Sequence, residues 1–172
     1  MEIRYFAYGS NLCLRRLRDR APSARPEGRA TLPGYRLCWH KRSADGSGKC
    51  SVSASENAIV HGVLFSMPAE EKVRLDAVEG LGNGYADVEV AVESKEGRVL
   101  ASTYVATEEH VDESLKPYSW YRDLVIAGAR TFGLPGDYIE SLRQVSAIED
   151  PRTERDGKNR RSVPCAGPVA PG

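Results

Sequence analysis

Residues 5–12 read YFAYGSNL, and this stretch decides how the fold begins. The segment 3–8 is apolar and rich in aromatic residues, which predicts a buried strand. Gly9, Ser10 and Asn11 interrupt this run, and the apolar residues after them have the spacing of a short helix that ends before Pro22. We therefore predict a strand that passes through a tight turn directly into a helix.

A turn of this kind can have a chemical use. The first N–H groups of a helix have no partner within the helix, and the helix dipole adds partial positive charge there. Gly9 would let a ligand approach the backbone, while Ser10 or Asn11 could cap the helix or contact the ligand. Two interpretations stay open: a cradle for a phosphate or carboxylate, and a capped turn without a ligand. The residues alone favour the capped turn.

Size and charge limit the class of protein. The chain has 172 residues and a mass of 18.9 kDa, which suits one domain. Lysine plus arginine equals aspartate plus glutamate at 24 each, so the net charge gives no reason to expect a nucleic-acid or membrane partner. The basic run from Arg15 to Arg20 is interrupted by Asp19 and is interpreted as a solvated helix face. No segment is typical of a membrane span or a signal peptide, so we expect a cytoplasmic protein.

A metal site is not expected, because the histidines and cysteines lack the spacing of metal ligands. Whether Cys38 and Cys50 approach each other across a hairpin stays open at this stage. Nothing in the sequence supports a homodimer, although one is possible.

The remaining pattern predicts mainly strands, with two helices late in the chain. Pro33 and Gly34 are interpreted as a turn. The predicted strands are 35–41, 50–54, 58–65, one around Val88, Val90 and Val92, and 99–105; the predicted helices are 68–75, 118–132 and 137–145. This order favours an α+β fold with a curved or closed, antiparallel or mixed sheet and helices packed at one side.

The end of the chain differs in composition from the rest. Residues 151–172 lack apolar periodicity, contain four prolines and three glycines, and carry more basic than acidic side chains. We predict one domain over residues 1–150 and a Pro/Gly-rich basic extension over 151–172 that is extended or mobile.

Three ordered blocks are similar to the γ-glutamylcyclotransferases. The stretch 5–12 resembles the N-terminal signature of that family, and LDAVEG at 75–80, followed by Tyr85, resembles the segment that carries its catalytic glutamate. WYRDLVIAGAR at 120–130, followed by GLP at 133–135 and Tyr138, is similar to its late helix and the turn after it. Together the blocks cover roughly residues 3–147, with the spacing of the family.

The resemblance implies a small mixed or antiparallel β-barrel flanked by a few α-helices, with the active cavity at one mouth. It implies the cyclisation of a γ-glutamyl amino acid, peptide or amine to 5-oxoproline with release of the amine, without a metal or other cofactor. By position, Glu79 would be the catalytic acid/base, and Tyr121 would shape or bind the substrate. The residues that would hold the glutamyl head group, chiefly by its α-carboxylate, are Tyr8, Gly9, Ser10, Asn11 and Leu12.

Alternatives remain at the sequence level. Without the resemblance, Glu79 is no better a candidate than Asp76, and its expected surroundings are the apolar side chains of Val78 and Leu81. The substrate could instead be a γ-glutamylamine, including γ-glutamyl-ε-lysine or a protected biosynthetic intermediate, with the same chemistry and a different leaving amine. A non-catalytic binding module with the same barrel is a further alternative, which loss of the acid would favour, yet Glu79 is present.

Overall fold

The computed structural model describes residues 1–163. The strands are β1 (Glu2–Ala7), β2 (Arg25–Arg42), β3 (Gly48–Pro68), β4 (Tyr85–Ser94) and β5 (Gly97–Ala106). The α-helices are α1 (Leu14–Arg18), α2 (Ala69–Glu79), α3 (Ser119–Thr131), α4 (Gly136–Arg143) and α5 (Thr153–Arg160), and short 3₁₀ helices lie at Ser10–Leu12 and Glu108–His110. Within this range, every helix is too short or too polar to cross a membrane.

The strands close into a barrel in the order β1, β3, β2, β4, β5. Neighbouring strands are antiparallel except at the closure, where β1 runs parallel to β5 and Tyr5 pairs with Ser102. Closure gives each strand two neighbours, and the inward residues pack around fully buried side chains such as Phe6, Val60 and Phe65. The predicted α+β barrel with flanking helices is confirmed.

Two predicted interruptions of the sheet are wrong. Pro33 and Gly34 do not form a turn but lie inside β2, where Gly34 has a φ of 79° and the pairing register shifts. The segment 55–58, which was expected to separate two strands, lies inside the single strand β3. It is the part of β3 opposite Gly34, since Pro33 pairs with Ile59 and Tyr35 pairs with Ala54. A bulge takes up extra residues without ending a strand, and a sequence pattern cannot tell it from a turn.

The predicted helices and the β4–β5 hairpin are found close to their expected positions. Pro68 precedes α2, as suits a residue with no N–H to donate. Gly133, with a φ of 63°, follows the end of α3. The alternating valines Val88, Val90 and Val92 lie in β4, which pairs with β5 over its whole length.

The end of the chain is more ordered than its composition suggests. Residues 153–160 form α5, so the prediction of an extended or mobile segment is wrong for them. Both Nε and Nη2 of Arg155 donate to the carboxylate of Asp150 at 2.6 Å, and Trp120 Nε1 donates to the same carboxylate at 2.9 Å. These bonds hold α5 against α3. Residues 164–172 of the predicted extension lie outside the described residues.

Cys38 and Cys50 lie on the neighbouring strands β2 and β3. Both are buried and both are free thiols. The possible bridge across this hairpin is therefore not formed.

Candidate active site

A cavity of about 600 Å³ lies at one end of the barrel and continues into an inner cavity of about 30 Å³. Four residues line both spaces: Ser10, Glu79, Tyr85 and Tyr121. They come from the segment after β1, the end of α2, the start of β4 and the start of α3. Because antiparallel neighbours bring the end of one strand next to the start of the other, these distant segments meet at the same mouth.

Glu79 is the last residue of α2, and Gly80 ends the helix in the left-handed conformation with a φ of 75°. Its Oε1 accepts hydrogen bonds from Arg20 Nη1 and, at 3.1 Å, from Asn11 Nδ2. Arg20 Nη1 also donates to Asn11 Oδ1 at 3.0 Å, so the three side chains form a closed triangle. Within residues 1–163, no donor lies within hydrogen-bond range of Glu79 Oε2.

Asp76, the alternative candidate for the catalytic acid, bonds to other side chains of the fold and does not reach the cavity. It accepts hydrogen bonds from Lys72 Nζ and, at 2.6 Å, from the Tyr104 hydroxyl, and it lines neither cavity. The expected apolar surroundings of Glu79 are wrong, since Val78 and Leu81 are 57% and 41% exposed. Its direct partners are instead a guanidinium and an amide.

The loop of residues 9–11, called the 9–11 loop below, lies in the wall of the inner cavity. A Cβ atom on Gly9 would lie 3.0 Å from Cys50 Cβ and 3.4 Å from the Tyr121 hydroxyl, so any larger residue here would press against β3 and α3. Among the described residues, no acceptor is bonded to the backbone N–H groups of this loop. Three such donors beside a cavity suit an anionic ligand.

Tyr8 and Leu12, the residues on either side of this loop, differ in their placement. Leu12 is fully buried, packs against Gly128 of α3 and lines neither cavity. Tyr8 lines the inner cavity, while its hydroxyl donates to the backbone carbonyl of Tyr104. Burial raises the pKa of Tyr8 well above its ordinary value, so its phenol stays neutral.

Two tyrosines are fixed by the backbone of Cys50. The N–H of Cys50 donates to the Tyr121 hydroxyl at 3.1 Å, and the Tyr85 hydroxyl donates to the Cys50 carbonyl at 2.6 Å. Burial raises the pKa of both phenols well above the ordinary value, which makes them neutral walls of the site. The sequence pointed to Tyr121 but not to Tyr85, whose position at the start of a strand carried no signal of a cavity.

Basic residues that were assigned to solvent also reach the site. Arg16 and Arg20 line the larger cavity, so the prediction of a solvated helix face is wrong for them, whereas Arg15 and Arg18 are exposed. Arg20 lies beyond the end of α1, where it bonds to Glu79 and Asn11, and nothing in the sequence separates Arg16 or Arg20 from the other arginines of this run.

Lys49 and Asp45 form a further charged pair in the wall. Their atoms Nζ and Oδ2 are 2.8 Å apart, and the ammonium lies 4.6 Å from the ring centroids of Trp120 and Tyr121. Burial alone would raise the pKa of Asp45, but hydrogen bonds from Lys49 and Ser47 lower it to about 2. Asp45 is therefore ionised at neutral pH, while burial lowers the pKa of Lys49 from its ordinary value.

Comparison with known proteins connects this geometry to named relatives. The AIG2-like family model matches residues 59–142. A human protein named gamma-glutamylcyclotransferase is 32% identical over 148 residues, which cover 82% of this chain and 77% of the relative, and the mouse protein of the same name is 32% identical over 84% and 79%. A solved structure named gamma-glutamyl cyclotransferase superimposes with a TM-score of 0.83 at 27% identity, covering 94% of this chain and 99% of the other.

Proposed function

The chain belongs to the γ-glutamylcyclotransferase family, and we propose that it converts a γ-glutamyl compound to 5-oxoproline with release of an amine or amino acid. The observation that supports this most directly is the 3.1 Å hydrogen bond from Asn11 of the 9–11 loop to Glu79. It places this loop, whose backbone N–H groups have no partner among the described residues, and a carboxylate in one cavity.

The proposed reaction needs no nucleophile from the protein. The α-amine of the glutamyl half attacks its own γ-carbonyl carbon, the new C–N bond closes a five-membered lactam, and the bond from the γ-carbon to the leaving nitrogen breaks. Folding the substrate into the cyclising conformation on binding can supply roughly 7–11 kcal/mol at best. The cavity therefore has to hold the substrate in this shape and to move two protons from the α-nitrogen to the leaving nitrogen.

Glu79 is the proposed acid/base that transfers these protons. An α-ammonium group is mostly protonated at neutral pH and cannot attack until it loses a proton. Oε2 of Glu79, which accepts no hydrogen bond from the described residues, would take this proton before the attack and a second N–H proton when the lactam forms. It would deliver both in turn to the departing nitrogen, which leaves as an ammonium group. Transfers of this kind typically contribute about 10²–10⁴-fold in rate. Arg20 and Asn11 hold the other oxygen, so the carboxylate keeps one orientation throughout.

The 9–11 loop is the proposed holder of the glutamyl half. Its unbonded backbone N–H groups would donate to the substrate α-carboxylate, and the buried hydroxyl of Ser10 lies in the same wall. Tyr121 and Tyr85 would close the sides of this subsite as neutral surfaces. Leu12, which is buried behind the loop, would act through packing and not through contact with the substrate.

A mass-spectrometric screen tests the proposal. Purified protein is incubated with γ-glutamyl dipeptides, γ-glutamylamines and glutathione, and each mixture is analysed for 5-oxoproline. We expect 5-oxoproline together with one equivalent of the free amine or amino acid from at least one compound. The matched control is the same compound acetylated on its α-amine, which has no attacking nitrogen and should be inert. Release of glutamate in place of 5-oxoproline, or cleavage of the acetylated compound, would instead indicate hydrolysis.

A further inference from the structure

The larger cavity carries more positive charge than its own acids neutralise. Among the described residues, five arginine and lysine side chains line it, against two carboxylates. Three of the five are in ion pairs: Arg20 with Glu79, Lys49 with Asp45, and Arg42 with Asp112. The two that remain are Arg16 and Lys41, and neither side chain has a hydrogen bond or ion pair within residues 1–163.

Lys41, near the end of β2, is the more deeply buried of the two. Only 8% of the residue is exposed, and its ammonium lies 4.7 Å from the centroid of the Tyr85 ring. Its stem packs on Gly84, where a Cβ atom would lie 2.7 Å from Lys41 Cε. The side chain is thus fixed in the cavity wall. Burial lowers its pKa, against the opposing effect of Glu79 and Asp45.

Arg16 approaches the same cavity from α1. Its Nε is buried and has no hydrogen-bond partner among the described residues. Burial lowers the pKa of the guanidinium, and the nearby charge of Arg20 lowers it further. A buried N–H of a charged group that is left without an acceptor carries a large desolvation cost.

A bound anion would offset the free-energy cost of burying the charged side chains of Arg16 and Lys41. Buried charges in proteins are normally paired, and a cation held in place without a partner favours ligands that bring the opposite charge. In the function proposed above, the α-carboxylate of the glutamyl half is bound by the 9–11 loop. Arg16 and Lys41 are therefore available to the part of the substrate that leaves.

We propose that the leaving group is an acidic amino acid, whose two carboxylates are bound by Arg16 and Lys41. This inference rests on the proposed function and names the substrate class of the same site. It also argues against a leaving group that carries an ammonium, such as the lysine of γ-glutamyl-ε-lysine, because this ammonium would meet the excess positive charge of the wall.

Three substrates that differ in carboxylate count provide the test. They are γ-glutamyl-glutamate with two carboxylates on the leaving group, γ-glutamyl-alanine with one, and γ-glutamyl-ethylamide with none. For the unmodified protein we expect kcat/KM to fall in that order. In Lys41→Met and in Arg16→Gln, the ratio of kcat/KM for γ-glutamyl-glutamate to that for γ-glutamyl-ethylamide should fall about tenfold or more, chiefly through KM.

The matched control is Arg15→Gln, which removes a neighbouring exposed arginine that lines no cavity and should leave the ratio as it was. Because Lys41 is buried, its variant can lose its fold, and circular dichroism checks this. The unmodified protein then supplies an independent measurement: added salt should raise KM for γ-glutamyl-glutamate more than for γ-glutamyl-ethylamide.

Several outcomes would overturn the inference. One is a ratio that neither substitution changes, together with equal salt dependence for all three substrates. Another is an equal loss on all three substrates in Arg16→Gln, which would place Arg16 on the glutamyl half. If no compound yields 5-oxoproline, the proposed function fails. The charge preference is then measured by calorimetric titration of the three compounds into Glu79→Gln protein. Equal dissociation constants for the three compounds would overturn the inference.

Discussion

At the scale of the residue, two carboxylates on the same helix have different surroundings. Asp76 and Glu79 are three residues apart on α2, yet Asp76 is bonded to Lys72 and Tyr104 while Glu79 lines the cavity. The sequence could select Glu79 only through the resemblance to a family, because both residues are acids near a glycine-rich loop. Arg20, its ion-pair partner, was missed because it belongs to a run of arginines that is typical of a solvated face.

Asn11 tests the arrangement around Glu79. In Asn11→Asp, a second carboxylate would replace the amide that donates to Glu79 Oε1 at 3.1 Å and to the Tyr5 hydroxyl at 2.9 Å. Repulsion between the two acids would displace the catalytic group, so we expect kcat to fall roughly tenfold to a hundredfold. Steady-state kinetics with the best substrate of the screen measures this effect.

The matched control for this substitution is Asn57→Asp, the same exchange at an exposed position of β3 that lines neither cavity. It should change kcat by less than about twofold, as is usual for surface substitutions. Full activity in Asn11→Asp would mean that the bond from Asn11 to Glu79 has no part in the reaction.

At the scale of the element, the contact of α3 with the segment after β1 fixes the site. Gly128 lets α3 lie directly against the backbone of Leu12 and Cys13. The pattern of apolar residues predicted α3 and its end at Gly133, but it could not reveal this contact, because a glycine inside a helix does not indicate what lies opposite. In the same way, the bulge in β2 was read as a turn because proline and glycine suit both.

Gly128→Ala tests this contact. The added Cβ would lie 2.5 Å from two atoms of Leu12 and 2.8 Å from the backbone nitrogen of Cys13, so α3 or the 9–11 loop has to move. We expect the free energy of unfolding to fall by about 1–3 kcal/mol, as for overpacked cores, and KM to rise because the loop shifts. Urea unfolding and kinetics on the same preparation measure the two effects.

Gly136→Ala is the matched control, since a Cβ at the first position of α4 meets no atom within 4 Å. Its stability should stay within about 0.5 kcal/mol of the unmodified protein. Equal behaviour of the two alanine variants would show that α3 can move away from the loop without cost.

At the scale of the whole molecule, barrel closure brings basic side chains together at one cavity, although the net charge of the chain is zero. The chain carries 24 basic and 24 acidic residues, yet five basic and two acidic side chains line one cavity. The predicted fold class could be reached from strand and helix patterns together with the resemblance. The charge of the cavity could not, because Arg16 of α1 reaches the cavity of Lys41 and Lys49, which pair in the β2–β3 hairpin, only when the barrel closes.

In the mechanism proposed above, one carboxylate moves protons while the substrate attacks itself. Glu79→Gln keeps the size and the hydrogen-bond acceptor of this side chain but removes its ability to take a proton. Glu70→Gln is the matched control, an exposed position of the same helix that lines neither cavity. Thermal unfolding of both variants verifies that the barrel is intact.

The deciding measurement is the rate of 5-oxoproline formation by these two variants, followed by mass spectrometry with the best substrate of the screen. We predict that Glu79→Gln loses about 10²-fold or more while Glu70→Gln stays close to the unmodified protein. A folded Glu79→Gln protein that still forms 5-oxoproline at a comparable rate would contradict the account, because the proton would then have another carrier.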